Sequence, residues 1–164
     1  MPNPAKPIPT GFHSVTPYLA VNDAARAIDF YKRAFGATES VKMNGPDGKI
    51  MHAEIKIGDS VIMLADEMPQ SSTRSPRSLG GTSAGIFLYV PDVDAAFKQA
   101  VSAGAKEEMA VADMFWGDRY GRLMDPFGHS WSLATHKEDV SPEDMKKRMK
   151  EMMEKMAHHQ PVGA

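Results

Sequence analysis

The sequence predicts an α+β fold. Two βαβββ repeats form curled mixed sheets around a cavity, and a C-terminal helix follows them. The first observation behind this is that the chain aligns with itself. Leu19-x-Val21-x-Asp23 falls over Leu88-x-Val90-x-Asp92, Ala27 over Ala96, and Gly36-Ala37 over Gly104-Ala105 with one gap. An internal duplication sets the architecture before any single element does. The second observation is that both halves read strand, helix and three further strands, with a glycine turn (Gly58, Gly128) before the last strand. Neither unit can bury both faces of its sheet alone, so side by side the two sheets enclose a shared concavity.

Residues 1–12 carry prolines at 2, 4, 7 and 9 and read as a flexible arm, because proline favours extended, donor-poor backbone. Val15–Val21 reads as the first strand, with Pro17 arguing for a sheet edge. Asn22-Asp23 caps a helix whose apolar positions are Ala24, Ala27, Ile28, Tyr31 and Phe35, and Gly36 ends it. Thr38–Met43 and Lys49–Ile57 flank the turn Asn44-Gly45-Pro46-Asp47-Gly48 as a hairpin. In the second of these strands Met51, Ala53, Ile55 and Ile57 share one face, and His52, Glu54 and Lys56 the other. Ser60–Ala65 is nearly all apolar and closes repeat one (13–65). Residues 66–84, rich in Ser, Pro, Gly and Arg, read as a linker.

Repeat two spans 85–136. Ile86–Val90 is its first strand, Asp92 caps its helix, Gly104 ends that helix, and Lys106–Val111 is a short strand. Its closing hairpin lies within Met114–His136, turning at Asp125-Pro126-Phe127-Gly128 and holding both tryptophans. In residues 137–164, a helix over 141–157 starts at Ser141-Pro142-Glu143-Asp144, a cap followed by proline and acids. Met145, Met149, Met152, Met153 and Met156 form one stripe, an adaptable packing surface for the same molecule or a dimer partner.

A chain of 164 residues can bury a core without staples, and it has no cysteine for disulfides or thiolate metal sites. Its net charge of −2 offers no basic surface for nucleic acid. No run is long and apolar enough to span a bilayer, and the N-terminus lacks the apolar core of a signal peptide. The expectation is a cytoplasmic protein, partnered by a small molecule and a second copy of itself, with neither nucleic acid nor membrane.

The motifs AVNDAARAIDFYKRAFG (20–36) and LMDPFGHSWSL (123–133), within residues 13–136, resemble the vicinal oxygen chelate superfamily. That superfamily holds glyoxalase I, extradiol dioxygenases, and fosfomycin and bleomycin resistance proteins. MHAEIKIGDSVIMLAD (51–66) and FWGDRYG (115–121) are most similar to its PhnB-type branch. The resemblance implies four strand positions for His, Glu or Gln ligands of a divalent metal. Those positions fall here on Thr16, on Ile62 (or Met63 if the register slips by one), on Gly85 and on Ser132. None of these residue types makes a competent ligand set, so a resident metal is not expected.

Without a metal, the cavity must bind by stacking, burial and a few polar groups. The candidate ligand-binding residues are Tyr18, His52, Phe87, Tyr89, Trp116, Arg119 and Ser132. Asp118 and Arg119 are adjacent on a strand, so only one of them faces the cavity; for Arg119 the alternative is an ion pair with neighbours of Asp118 or with Asp125 that stabilises the hairpin. If Ser132 points inward, Trp131 packs under a helix as core. The leading function is a metal-free small-molecule-binding protein of the glyoxalase/bleomycin-resistance type. The alternative is a glyoxalase-like lyase or isomerase, with His52 and Glu54 as general base or as ligands of a non-standard divalent metal. A third reading makes the chain an interaction module built on its methionine stripe.

Overall fold

A computed structural model describes residues 5–158. Its elements are β1 (Tyr18–Val21), α1 (Ala24–Phe35), β2 (Thr38–Asn44), β3 (Ile50–Ile57), β4 (Ser60–Asp66), α2 (Pro76–Leu79), β5 (Gly85–Tyr89), α3 (Val93–Ala103), β6 (Lys106–Asp113), β7 (Asp118–Met124), β8 (Ser130–His136) and α4 (Pro142–His158). They make two separate, unclosed four-stranded sheets, ordered β1-β4-β3-β2 and β5-β8-β7-β6. Each sheet is mixed: β1/β4 and β5/β8 are parallel and the other pairs antiparallel. The duplication read from the sequence is therefore a duplication of topology. Tyr18 beside Met63 is matched by Phe87 beside Ser132.

The caps explain where the helices begin and end. The Asp23 carboxylate accepts from Arg26 N, and the Asp92 carboxylate from Ala95 N. Gly36 closes α1 at φ 65°, a left-handed conformation that favours glycine. Both helices lie on one side of the sheets and pack on each other, tied by Arg33 Nη1 donating to Ala103 O and Gln99 Nε2 to Arg33 O. The core between them joins the repeats. Trp131 of β8 is fully buried, with its ring 5.4 Å from Tyr31 and 4.4 Å from Phe35 of α1. Burying each such side chain stabilises the fold by roughly 1.5–3 kcal/mol.

The first strand is shorter than the sequence pattern suggests. β1 starts at Tyr18, and Val15 is 84% exposed. Pro17 lacks the N–H that a longer strand would use, although its carbonyl accepts from Met63 N at 2.9 Å. The face predicted for β3 needs one correction: Ala53, Ile55 and Ile57 are buried, but Met51 is exposed and Ile50 is buried instead. A register shift between Met43 and Asn44 in the β2/β3 pairing reverses the alternation there.

The 66–84 segment is more structured than a linker. Ser75 caps α2 and is fully buried, Pro76 takes its first turn, and Gly80 closes it. Glu67 organises this segment, accepting from Ser75 N at 2.9 Å and Ser78 Oγ at 2.7 Å and pairing with Arg74. The hydrogen bonds from Ser75 and Ser78, with Arg74 beside them, hold its carboxyl at about 2 against an ordinary 4.5. A depressed acid stabilises the fold above its unfolded value and loses that contribution as pH falls through the folded one. Amide-exchange protection at Leu79 and Gly81, whose N–H groups donate within α2, is therefore expected to fall between pH 4.5 and 2. Glu67→Gln should lose that dependence on pH.

The methionine stripe of α4 does not pack on its own chain. Met145 is half-buried, but Met149, Met152, Met153 and Met156 are 37–64% exposed. The helix is held at its base by Arg148, which donates to both Glu138 oxygens at 2.7 and 2.8 Å. Among the described residues, no helix is long and apolar enough to cross a membrane.

Candidate functional site

Strand alternation gives each sheet one face under the helices and one open face. On the second sheet the helix face carries Trp131, Leu133, Leu123 and Arg119, and the open face carries Phe87, Tyr89, Asp118, Tyr120, Ser132 and His136. Register puts Phe87, Ser132 and Arg122 in one row and Tyr89, Ala134 and Tyr120 in the next. The rings make a continuous wall. Phe87 lies 4.9 Å from Tyr89 and 5.8 Å from Tyr120, and Trp116 lies 5.7 Å from Tyr120, centroid to centroid. Phe87 is 48% and Tyr89 60% exposed. Tyr120 and Ser132 share a hydroxyl hydrogen bond at 2.9 Å.

Asp118 anchors the wall from beneath. It is buried, and one carboxylate oxygen accepts from the Tyr89 hydroxyl at 3.0 Å and from Trp116 Nε1 at 3.1 Å. The other meets His136 Nδ1 at 2.7 Å. Burial, then the bond to Asp118, pushes the Tyr89 hydroxyl up. Hydrogen bonds to Asp118 and Asp139 raise the His136 imidazole. The imidazolium's stabilising contribution is thus full below about 6.5 and is lost as pH rises through the raised folded value.

The first sheet's open face is simpler. Tyr18 Oη lies 3.1 Å from His52 Nδ1, and His52 Nε2 lies 3.3 Å from Glu54 Oε1. These side chains form one hydrogen-bonded line on neighbouring strands, with Tyr18 49% exposed. Between the sheets, where β1 and the β3–β4 turn approach β5, is a cavity of about 410 Å³. Ile57, Ile62, Trp131 and Phe87 line it together with His13 and Asp59.

The structure sorts the residues singled out by sequence. It brings Phe87, Tyr89, Trp116 and Ser132 together on one face, and Tyr18, His52 and Glu54 together on the other sheet. It does not bring Arg119 to either group. Arg119 faces α3, where Nε and Nη2 hold both Asp94 oxygens at 2.6 and 2.8 Å and Nη1 reaches Asp113 at 3.2 Å. Those bonds raise the guanidinium and lower the Asp94 carboxyl, and they commit Arg119 to packing the helix on the sheet rather than to a ligand. The ion-pair partner is Asp94 and not Asp125. His129 ties the repeats, its Nε2 lying 3.1 Å from Ala20 O.

His136 was not singled out by sequence, and Asp118 and Tyr120 were not among the named ligand-binding candidates. Alternation from Ser132 through Ala134 to His136, and across the hairpin to Tyr120 and Asp118, would have found them once the hairpin register was known.

The four metal positions implied by the resemblance can be tested on their donor chemistry. Thr16 precedes β1 and Gly85 begins β5, and neither side chain is a metal-competent donor. Ile62 is 4% exposed and faces the core, so the register gives the β4 position to Met63, which pairs with Tyr18 and Glu54 across the open face. The fourth, Ser132, is bonded to Tyr120. This set does not fit a divalent metal. Among the described residues, no group of three or more His, Cys, Asp or Glu side chains is placed to hold one.

Residues 11–133 match the model of the Glyoxalase/Bleomycin resistance protein/Dioxygenase superfamily. An uncharacterised protein of Mycobacterium tuberculosis, Rv0887c, is 46% identical over 139 residues, covering 83% of this chain and 82% of its own. The crystal structure of the Arabidopsis thaliana gene product At5g48480 is 30% identical, with a TM-score of 0.61, covering 75% of this chain and 98% of that one. A PhnB protein of Bacillus cereus, 18% identical with a TM-score of 0.59, covers 75% of this chain and 99% of its own, and shares the fold. With its duplicated topology, open sheet faces and a family match over most of its length, the chain belongs to the glyoxalase/bleomycin resistance/dioxygenase superfamily.

Proposed function

We propose that the protein is a cytoplasmic, homodimeric small-molecule-binding protein that works without a resident metal and takes its ligand on the open face of the second sheet. The observation that supports this is the aromatic wall of exposed Phe87 and Tyr89 and half-buried Tyr120 and Trp116, held by a buried carboxylate. Contiguous exposed apolar surface rimmed by polar groups marks binding sites. Flat rings with hydroxyls at their edges suit a planar ligand that carries a few polar atoms. The apolar Tyr18, Met43 and Met51 exposed on the first sheet are surface for the second copy to cover.

Calorimetric titration with a neutral planar probe, 1-naphthamide, should show saturable binding at one site per chain. Phe87→Ala with Tyr89→Ala is expected to weaken it by roughly tenfold, the scale of losing stacked aromatic contacts. Absence of saturation into the millimolar range, or full affinity in the double variant, would rule this reading out. Sedimentation of the purified chain as a monomer at micromolar concentration would remove the dimer.

The Tyr18–His52–Glu54 line supports a second reading, a lyase or isomerase with His52 as general base oriented by Glu54. It predicts turnover of a small carbonyl substrate that His52→Ala lowers by roughly a hundredfold, the lower range for a lost general base. A stoichiometric metal in elemental analysis that disappears with His52→Ala would favour it over the first reading.

A further inference from the structure

We propose that the second sheet's open face selects planar carboxylates, with His136 as their anchor and Asp139 as the internal group that the ligand displaces. This rests on the aromatic-wall reading and names the ligand class for it.

Both oxygens of Asp118, which only accept, are engaged: one takes Tyr89 and Trp116, and the other meets His136 Nδ1. Nδ1 must therefore carry its proton toward Asp118, which fixes the ring with Nε2 pointing outward. Nε2 is not idle. It meets Asp139 Oδ1 at 3.0 Å. Asp139 is three residues along the chain, on the segment between β8 and α4, and its side chain is 104% exposed. The imidazole thus already carries a carboxylate, supplied by a side chain that packs against nothing.

Replacing that carboxylate by a ligand's is neutral in charge. The bond to the fully exposed Asp139 is solvated and worth little, whereas a ligand's carboxylate would meet Nε2 beneath its own stacked ring, where water screens the pair less. Tyr89 and Trp116 bond the same Asp118 that holds His136, so the wall and the anchor adjoin. The charged groups facing His136 from its neighbours are consistent with this. Asp118 of β7 is the ring's own partner, and Tyr89 of β5 is neutral. Glu138 is neutralised by two bonds from Arg148 of α4, and Lys137 acts on Asp94 of α3. The one carboxylate that opposes an incoming anion at Nε2 is Asp139, and it leaves.

The test is calorimetry near pH 6, where imidazolium is populated, with 1-naphthoate and its uncharged isostere 1-naphthamide. The naphthoate is expected to bind more tightly than the amide. Asp139→Asn should tighten naphthoate by about two- to fivefold, the scale of an exposed ion pair, and leave the amide unchanged. His136→Gln should weaken naphthoate by roughly tenfold, as expected for a lost charge-assisted bond, again sparing the amide. The preference for naphthoate should fade as pH rises through the raised His136 value. Equal affinity for the two probes, with Asp139→Asn without effect, would overturn the anchor and leave the wall standing. Failure of both probes to bind would overturn the wall and this proposal with it. Should His136→Gln not fold, Asp139→Asn decides alone, because its side chain makes no packing contact to lose.

Discussion

Replacing Asp125 with alanine is expected to lower the unfolding free energy by about 4 kcal/mol, the high end for a single substitution. Asp125 is 3% exposed and accepts from the Tyr31 hydroxyl at 2.7 Å, Trp131 Nε1 at 3.0 Å, Phe127 N at 2.8 Å and His129 N at 2.9 Å. Two of these bonds shape the β7–β8 turn. The Tyr31 bond crosses from repeat two to α1 of repeat one. Alanine would leave all four donors in a dry place, at about 1–3 kcal/mol each before relaxation or water entry. Tyr31→Phe removes one donor and keeps the ring, so a loss of about 1 kcal/mol is expected. Guanidinium denaturation measures both. A loss under about 1 kcal/mol for Asp125→Ala would show that the turn does not latch the repeats together. Burial, and then Asp125, raise the Tyr31 hydroxyl well above its ordinary 10.0. A raised pKa stabilises the fold fully below the unfolded value, so this contribution should decline above pH 10 and be absent in Tyr31→Phe.

Gly117→Ala is expected to cost about 3 kcal/mol and to loosen the aromatic wall. Gly117 sits at φ 101°, where an L side chain is strained by about 1–2 kcal/mol. A Cβ there would lie 2.2 Å from the Glu138 carbonyl oxygen, which is backbone and cannot turn aside. Gly117 O also accepts from Lys137 N and Glu138 N, so this close approach ties the Trp116 turn to the segment leading into α4. Pushing that segment away should weaken the Asp139–His136 contact and expose Trp116. A red shift in Trp116 emission, read against the buried Trp131, would report it beside the denaturation midpoint. Unchanged emission and stability would mean the segment does not pack on the turn. By contrast, Gly121→Ala meets side chains, Phe97 and Val111, rather than backbone.

How much of this was legible beforehand depended on whether the signal was local. Helix caps at Asp23 and Asp92 and the turn at Asp125–Gly128 are set by side-chain chemistry a few residues away, and the sequence shows them. The Ser75-Pro76 start of α2 carried the same cap-and-proline signature as Ser141-Pro142 and was masked by the polar composition around it. The side to which Arg119 turns stayed open because alternation says that it and Asp118 face apart but not which of them faces the helix. That answer needed Asp94, twenty-five residues away. Met51 failed for a different reason, since it is the unpaired residue of a bulge in its own strand, which reverses the face of a regular pattern.

The duplicated α+β topology and the family were legible in the sequence, as was the presence of Thr16, Gly85 and Ser132 at three of the four positions that the resemblance implies. Each depends on residue identity or on spacing within one element, which the chain carries locally. Only the tertiary structure decided that Met63 rather than Ile62 faces outward, that Asp125 bonds across the two repeats, and that Asp118 gathers Tyr89, Trp116 and His136 under one aromatic wall. Those facts are pairings between strands and helices far apart in the chain. Which strand neighbours which, and in what register, is settled by burying both repeats' apolar faces together.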